Sequence, residues 1–189
     1  MSKDIVLDTH ITDIVNLFKW EDIAEACLVP HSYGGWPCSG ALEQIGDRVS
    51  SIVWLDAFKP ENGQRGIDFS SGFSRVAMEE ALAKGEPGRK APPPSAFMLN
   101  ERDQAWVESL LTPQPNAVAM QPIRLAGARE RVAKKTYIRA PKYAQKAFDA
   151  ALAACQADKT WTTYVTNDAG HDIMVDAPDW LTDILIKHS

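Results

Sequence analysis

One serine near the start of the chain stands in a setting that suits a nucleophile. Ser32 lies in the run PHSYGG at residues 30–35, between a short apolar segment and a predicted helix. A serine on a tight strand-to-helix turn is presented at the carboxyl edge of a sheet, and small neighbours are needed because the turn is strained. The pattern usual for such a turn is G-x-S-x-G, and here Pro30 stands where the first glycine is expected. An ordinary turn serine is the alternative.

A histidine far downstream has the right chemistry to act as the base for that serine. His171 lies in the loop NDAGHD at residues 167–172, after a predicted strand and before the final predicted helix. An imidazole can take the proton of a serine hydroxyl, and a carboxylate then orients the ring and stabilises its charged form. The alternative for a lone loop histidine is a solvated or capping role.

The carboxylate that would complete this set has several candidates. Asp56 ends the strand that follows the predicted nucleophile helix, so its side chain would emerge at the same sheet edge as Ser32. The alternative for Asp56 is a cap on the turn before Pro60. Weaker candidates are Glu130, Asp149 and Asp168.

Apolar periodicity predicts the elements that must position these side chains. Helices are predicted at 8–20 and about 36–45, on either side of the apolar run 26–29, and the run SSIVWL at 50–55 is typical of a strand buried on both faces. The later elements predicted are a helix at 101–112, strands at 134–139 and 160–166, and helices at 145–155 and 178–187. This alternation predicts an α/β fold, with a mostly parallel sheet flanked by helices.

Residues 61–116 interrupt the alternation and are predicted to form a small helical lid, with residues 1–60 and 117–189 as the core. The Pro-rich stretch 87–94 is typical of a loop or polyproline II. Apolar side chains of the insertion would line an acyl or aromatic pocket, or form the core of the lid itself. They are Phe69, Phe73, Phe97, Met98 and Trp106. The candidate pocket residues are His31, Phe58 and Trp106.

Composition excludes several classes of function. The net charge of −5 and the pI of about 5.4 argue against nucleic acid or an anionic membrane as a partner. No apolar run is long enough to span a membrane, and the start MSKDIVLD does not resemble a secretory signal. Three scattered cysteines favour reduced thiols in a cytoplasm. The absence of CxxC and HExxH predicts no metal site of the common kinds.

Two segments carry a resemblance to a known family. The run LVPHSYGGWPCSGALEQIGDRVSSIVWLDAFKPENGQ resembles the nucleophile region of α/β-hydrolase-fold esterases, and AGHDIMVDAPDWLTDIL resembles their histidine loop and last helix. The most similar branch is a bacterial group related to plant hydroxynitrile lyases and methyl-salicylate-type esterases. The resemblance implies a Ser-His-Asp hydrolase that acts on a small ester without a cofactor. It implies Ser32 as nucleophile, His171 as base and the Tyr33 amide as an oxyanion donor.

The sequence departs from that family in two places. The plant relatives keep their acid at a point matching roughly residues 140–143, which read APKY, so Asp56 is the preferred acid here. No His-Gly-type loop for a second oxyanion donor is found, and this predicts that the chain begins inside the fold, without its first strands.

These departures keep alternatives to an active esterase open. One is a catalytically impaired hydrolase-fold protein that acts as a binding module. A second is a carbon–carbon or cyanohydrin lyase on the same scaffold. The exposed sheet edge that missing strands would leave also allows pairing with a partner, including a homo-oligomer.

Overall fold

A parallel sheet forms the centre of the molecule. The computed structural model describes residues 2–70 and 72–189, and within them four strands pair in the order β1-β2-β5-β6. Their bounds are Ala26–Leu28 for β1, Val49–Leu55 for β2, Lys134–Arg139 for β5 and Trp161–Val165 for β6. Every neighbouring pair in this sheet is parallel. The predicted α/β fold with a mostly parallel sheet is therefore confirmed.

Helices follow or precede these strands, as the alternation predicts. Their bounds are Leu7–Trp20 for α1, Gly35–Ile45 for α2, Gly72–Ala83 for α3, Glu101–Leu110 for α4, Ala128–Arg131 for α5, Lys146–Ala157 for α6, Ile173–Asp176 for α7 and Pro178–His188 for α8. The predicted helices at 8–20, 36–45, 101–112, 145–155 and 178–187 end within two residues of observed ones. Within the part of the chain described, no helix is both long and apolar enough to cross a bilayer.

The alternation of side chains along β2 divides the core into two layers. Ile52 and Trp54 belong to a buried cluster that also holds residues of α1, α2 and α6. Val53 and Leu55 face the opposite way, into a cluster with Leu181 and other residues of α7 and α8. Because successive side chains of a strand point to opposite faces, a strand covered by helices on both sides must be apolar at nearly every position. This is the reason for the unbroken apolar run IVWL at 52–55.

The segment 61–116 is irregular, as its composition predicts. It holds α3, α4 and short 3₁₀ turns at Gly66–Phe69 and Pro94–Phe97. One feature was not predicted: β3, Gly88–Arg89, pairs antiparallel with β4, Gln114–Pro115. The stretch 87–94 is therefore not loop or polyproline II throughout. The side chain of Phe73 lies outside the described residues.

Candidate active site

The turn that carries Ser32 connects β1 to α2. Ser32 has a φ of 52°, in the left-handed region, and is followed by a 3₁₀ turn over Ser32–Gly34. The Leu55 amide donates to the Pro30 carbonyl at 2.9 Å, and the Phe58 amide donates to the Ser32 carbonyl at 3.1 Å. These two bonds hold the bend against the end of β2. Pro30 fits because the neighbouring strand needs its carbonyl and not an amide hydrogen.

Gly35 is required by the close approach of the loop that follows β2. A Cβ at this position would overlap the carbonyl group of Phe58, whereas one at Gly34 would meet only the Pro30 side chain, at 3.8 Å. The Phe58 carbonyl is itself fixed, because it accepts a hydrogen bond from Trp54 Nε1 at 2.8 Å. The second glycine of the run therefore sets how near the serine turn lies to the end of β2.

His171 reaches Ser32 from the loop between β6 and α7. Its Nε2 lies 2.8 Å from Ser32 Oγ, and only 2% of the residue is exposed. The His171 amide donates to the Phe97 carbonyl at 2.8 Å, and a Cβ at Gly170 would overlap the backbone at Phe97 and Met98. The insertion thus fixes the backbone of this loop.

Aromatic rings enclose the imidazole of His171. The Tyr143 ring stacks on it at 4.4 Å between centroids, and the Phe148 ring lies at 5.6 Å. Such contacts restrict the rotation of the imidazole and exclude water from its faces.

Asp56 occupies the far side of the imidazole. Its Oδ2 lies 2.7 Å from His171 Nδ1, and its Oδ1 accepts from Arg139 Nη1 at 2.8 Å and from the Ala140 amide at 3.0 Å. The carboxylate is fully buried. A buried carboxylate with three donors is held in one orientation and remains compensated in charge. Asp56 also has a positive φ, 42°, at the point where β2 turns into the next loop.

The other carboxylates considered from the sequence lie elsewhere. Asp149 binds Arg139 at 2.8 Å with its side chain 59% exposed, and Glu130 binds Arg129 at 2.8 Å. Asp168 is exposed, although it lies only three residues before His171.

Arg139 is the residue of this site that sequence reasoning missed. Its side chain is 1% exposed and connects Asp56 to Asp149. The sequence signal that could have identified it is a charged residue at the end of β5, a strand that is buried along most of its length. A guanidinium is seldom fully buried without a paired anion.

His31 contacts His171 and is not among the residues that line the cavity at Ser32. Its Nε2 lies 3.0 Å from the His171 carbonyl oxygen and 3.7 Å from Asp172 Oδ1. Burial, and then the charge of His171, lower the pKa of His31 from 6.5 to about 4. A neutral His31 can therefore donate from Nε2 to the His171 carbonyl, which connects the serine turn to the histidine loop.

A cavity of about 1000 Å³ opens beside the serine. Its wall includes Ser32, Tyr33 and Phe58, as well as Trp36, Phe69 and Phe97. The candidate pocket residue Phe58 is thus at this cavity. Trp106 is not: it lies on α4, is 57% exposed and does not line the cavity. Its place was not predictable, because a tryptophan at helical spacing has the same pattern whether or not a neighbour covers it.

Comparison with known proteins identifies the family of the chain. The sequence profile described as the alpha/beta hydrolase family matches residues 3–184. The chain belongs to the alpha/beta hydrolase family. The family expected from the serine and histidine segments is therefore confirmed.

Among curated relatives of this hydrolase is an esterase named for the hydrolysis of carbendazim, from Nocardioides sp. (strain SG-4G). The two are 29% identical over 196 residues, which is 97% of this chain and 79% of the relative.

Solved structures share the fold. An extracellular alpha/beta-hydrolase from a Paenibacillus species superposes with a TM-score of 0.78 at 17% identity, over 100% of this chain and 81% of that one. A methylesterase, MES16, from Arabidopsis superposes with a TM-score of 0.72 at 20% identity, over 96% of this chain and 77% of that one.

Proposed function

We propose that this hydrolase cleaves small carboxylic esters by an acyl-enzyme mechanism, with Ser32 as nucleophile, His171 as base and Asp56 as the acid that orients it. The observation that carries the proposal is the unbroken chain of contacts from Ser32 Oγ to His171 Nε2, 2.8 Å, and from His171 Nδ1 to Asp56 Oδ2, 2.7 Å. The esterase named in the Nocardioides relative supports the same class of reaction.

The contacts of Asp56 support the proton positions that the mechanism needs. Because Asp56 Oδ2 can only accept, His171 carries its proton on Nδ1 and presents an unprotonated Nε2 to Ser32. Ser32 can then donate its hydroxyl hydrogen to Nε2. This is the tautomer in which the imidazole acts as a base.

The first half-reaction acylates the serine. Ser32 Oγ attacks the ester carbonyl carbon while its proton passes to His171 Nε2, and Asp56 stabilises the resulting imidazolium. The oxyanion accepts a hydrogen bond from the Tyr33 amide, which directly follows the nucleophile. The tetrahedral intermediate collapses, and the alcohol leaves with the proton of His171.

The second half-reaction releases the acid. Water attacks the acyl carbon as His171 Nε2 takes its proton, and the carboxylic acid leaves when that proton returns to Ser32 Oγ. No step needs a cofactor.

We also propose that residues 61–116 act as the lid of this site. Phe69, Arg89, Phe97 and Gln114 from this segment line the cavity. The Phe97 carbonyl holds the His171 amide, so a movement of the segment would act on the base directly. The cytoplasmic location and the homo-oligomer remain predictions from the sequence.

Labelling with a fluorophosphonate probe tests the catalytic assignment. We expect the folded protein to take up the label at Ser32 and to hydrolyse p-nitrophenyl acetate, and Ser32→Ala to do neither. A folded protein that takes no label, or that labels equally as Ser32→Ala, would overturn the proposal in favour of an impaired hydrolase that serves as a binding module. Turnover of mandelonitrile in place of the ester would indicate a lyase.

A further inference from the structure

The cavity beside Ser32 carries positive charge that ester hydrolysis by itself does not use. Among the described residues, its charged lining consists of Arg89, Lys90 and Lys146 against one carboxylate, Asp68. The chain as a whole has a net charge of −5, so this excess of cations is local. Cations along a cleft raise the local concentration of anionic ligands.

The one carboxylate of the wall is already paired. Asp68 Oδ1 lies 2.8 Å from Arg65 Nη2, and Asp68 Oδ2 accepts from Arg65 Nε at 3.2 Å. Arg65 does not line the cavity. Since this two-point ion pair neutralises Asp68, the carboxylate does little to offset the charge of Arg89.

Arg89 differs from the two lysines because it is held in place. Its Nη2 donates to Gln114 Oε1 at 2.6 Å and its Nη1 donates to Asn116 Oδ1 at 3.3 Å. The Asn116 side chain is fixed in turn, since its Nδ2 donates to the Glu86 carbonyl at 3.1 Å. Both acceptors are neutral amides, so they orient the guanidinium without cancelling its charge.

The surroundings of Arg89 favour an anion that the chain does not supply. The residue is half-buried, whereas Lys90 and Lys146 are exposed. Burial lowers the pKa of the Arg89 guanidinium from its ordinary value, and among the described residues its side-chain hydrogen-bond partners are two amides and not a carboxylate. A partly desolvated guanidinium is compensated best by a carboxylate, which accepts two parallel hydrogen bonds from it.

We propose that the substrate is an ester bearing a free carboxylate, which Arg89 binds while the ester carbonyl lies at Ser32. This inference rests on the proposed ester hydrolysis and names the substrate class for the same cavity. Arg89 and Ser32 both line this cavity of about 1000 Å³, so one small molecule bound there can contact the guanidinium and the nucleophile. Aromatic rings in the same lining, among them Trp36, Phe58 and Phe69, suit the carbon chain that joins ester and carboxylate.

Paired substrates that differ in one carboxylate test this. Mono-p-nitrophenyl adipate is compared with p-nitrophenyl hexanoate for a charge on the acyl side, and 4-acetoxybenzoate with phenyl acetate for a charge on the alcohol side. The rate without enzyme is subtracted in each case. We expect Arg89→Gln to lower kcat/KM for one of the anionic esters by roughly 10- to 100-fold and to leave its neutral partner within about twofold. Arg124→Gln, the same change at an exposed position away from the cavity, should leave all four values unchanged.

A binding measurement separates this inference from the proposed hydrolysis. In the Ser32→Ala protein, calorimetry with monomethyl adipate against dimethyl adipate, and with 4-acetoxybenzoate against phenyl acetate, reports recognition without turnover. Tighter binding of an anionic ester that is lost in Ser32→Ala/Arg89→Gln supports the inference, even where Ser32 takes no fluorophosphonate. Equal effects of Arg89→Gln on the charged and neutral members of both pairs would overturn the inference while leaving ester hydrolysis intact.

Discussion

Replacing Asp56 by asparagine should invert the proton positions at His171. Asp56 Oδ1 accepts from two fixed donors, Arg139 Nη1 at 2.8 Å and the Ala140 amide at 3.0 Å. The oxygen of an asparagine is therefore drawn to that side, and its NH₂ group faces His171 Nδ1. The ring must then accept at Nδ1 and carry its proton on Nε2, where it faces Ser32 and cannot act as a base.

The size of the loss in activity follows from the energy of the other orientation of the asparagine amide. If the amide flipped, its NH₂ would face the two donors of Arg139 and Ala140, and each buried donor without an acceptor costs about 1–3 kcal/mol. The flipped state would thus be disfavoured by about 2–6 kcal/mol, which leaves the productive tautomer at about 1 in 30 to 1 in 2 × 10⁴. We expect Asp56→Asn to lower kcat for p-nitrophenyl acetate by about 30- to 10⁴-fold, the upper end being the loss typical of this change in a Ser-His-Asp triad.

The assay needs a control for folding and for charge. Asp168→Asn makes the same chemical change three residues from His171, but its side chain is exposed, so it should retain the parent rate. Urea unfolding of both variants checks that the fold persists. Retention of more than about a tenth of the parent kcat by a folded Asp56→Asn protein would refute the reasoning about the tautomer.

Two further perturbations follow from the same geometry. Gly35→Ala should reduce both the thermal stability of the protein and its rate of fluorophosphonate labelling, because the new methyl group would overlap the Phe58 carbonyl. Gly34→Ala should change neither appreciably. Equal effects of the two substitutions on thermal unfolding and on labelling would contradict this. The pKa of His31 is lowered to about 4 in the folded protein, so as the pH falls the unfolded chain binds a proton at His31 before the folded protein does. The stability of the folded state should therefore fall as the pH drops from 6.5 towards 4. His31→Gln can still donate to the His171 carbonyl but lacks this titration, so its Tm should fall less over that range; parallel Tm curves would count against the assignment.

The elements were largely predictable because their signals are local. The strand predicted at 134–139 is observed with the same bounds, and the strand at 50–55 differs by one residue. Apolar periodicity and turn chemistry depend only on neighbours in the chain, so they can be recognised without knowledge of the fold. The β3–β4 ladder was missed because two residues at each end of a Pro-rich insertion carry no periodicity.

The contacts of the site were predictable only in part. The type and setting of Ser32, His171 and Asp56 marked them as candidates for one sheet edge, and their catalytic roles remain the proposal made above. A charged residue at the end of a buried strand needs a paired anion, but only the strand register shows that the anion of Arg139 is Asp56, because Leu55 of β2 lies opposite Ile138 of β5. Nothing in the sequence indicated that Trp106 would lie exposed, away from the cavity.

Residue types and local order alone determine which groups in this chain have useful chemistry and which segments become strands and helices. The register between strands and the docking of the insertion decide which of those groups meet. His31 and His171 are 140 residues apart and touch only because the β1–α2 turn and the β6–α7 loop end at one edge of the sheet. Such contacts depend on how whole elements pack, and no local pattern of residues specifies packing over that separation.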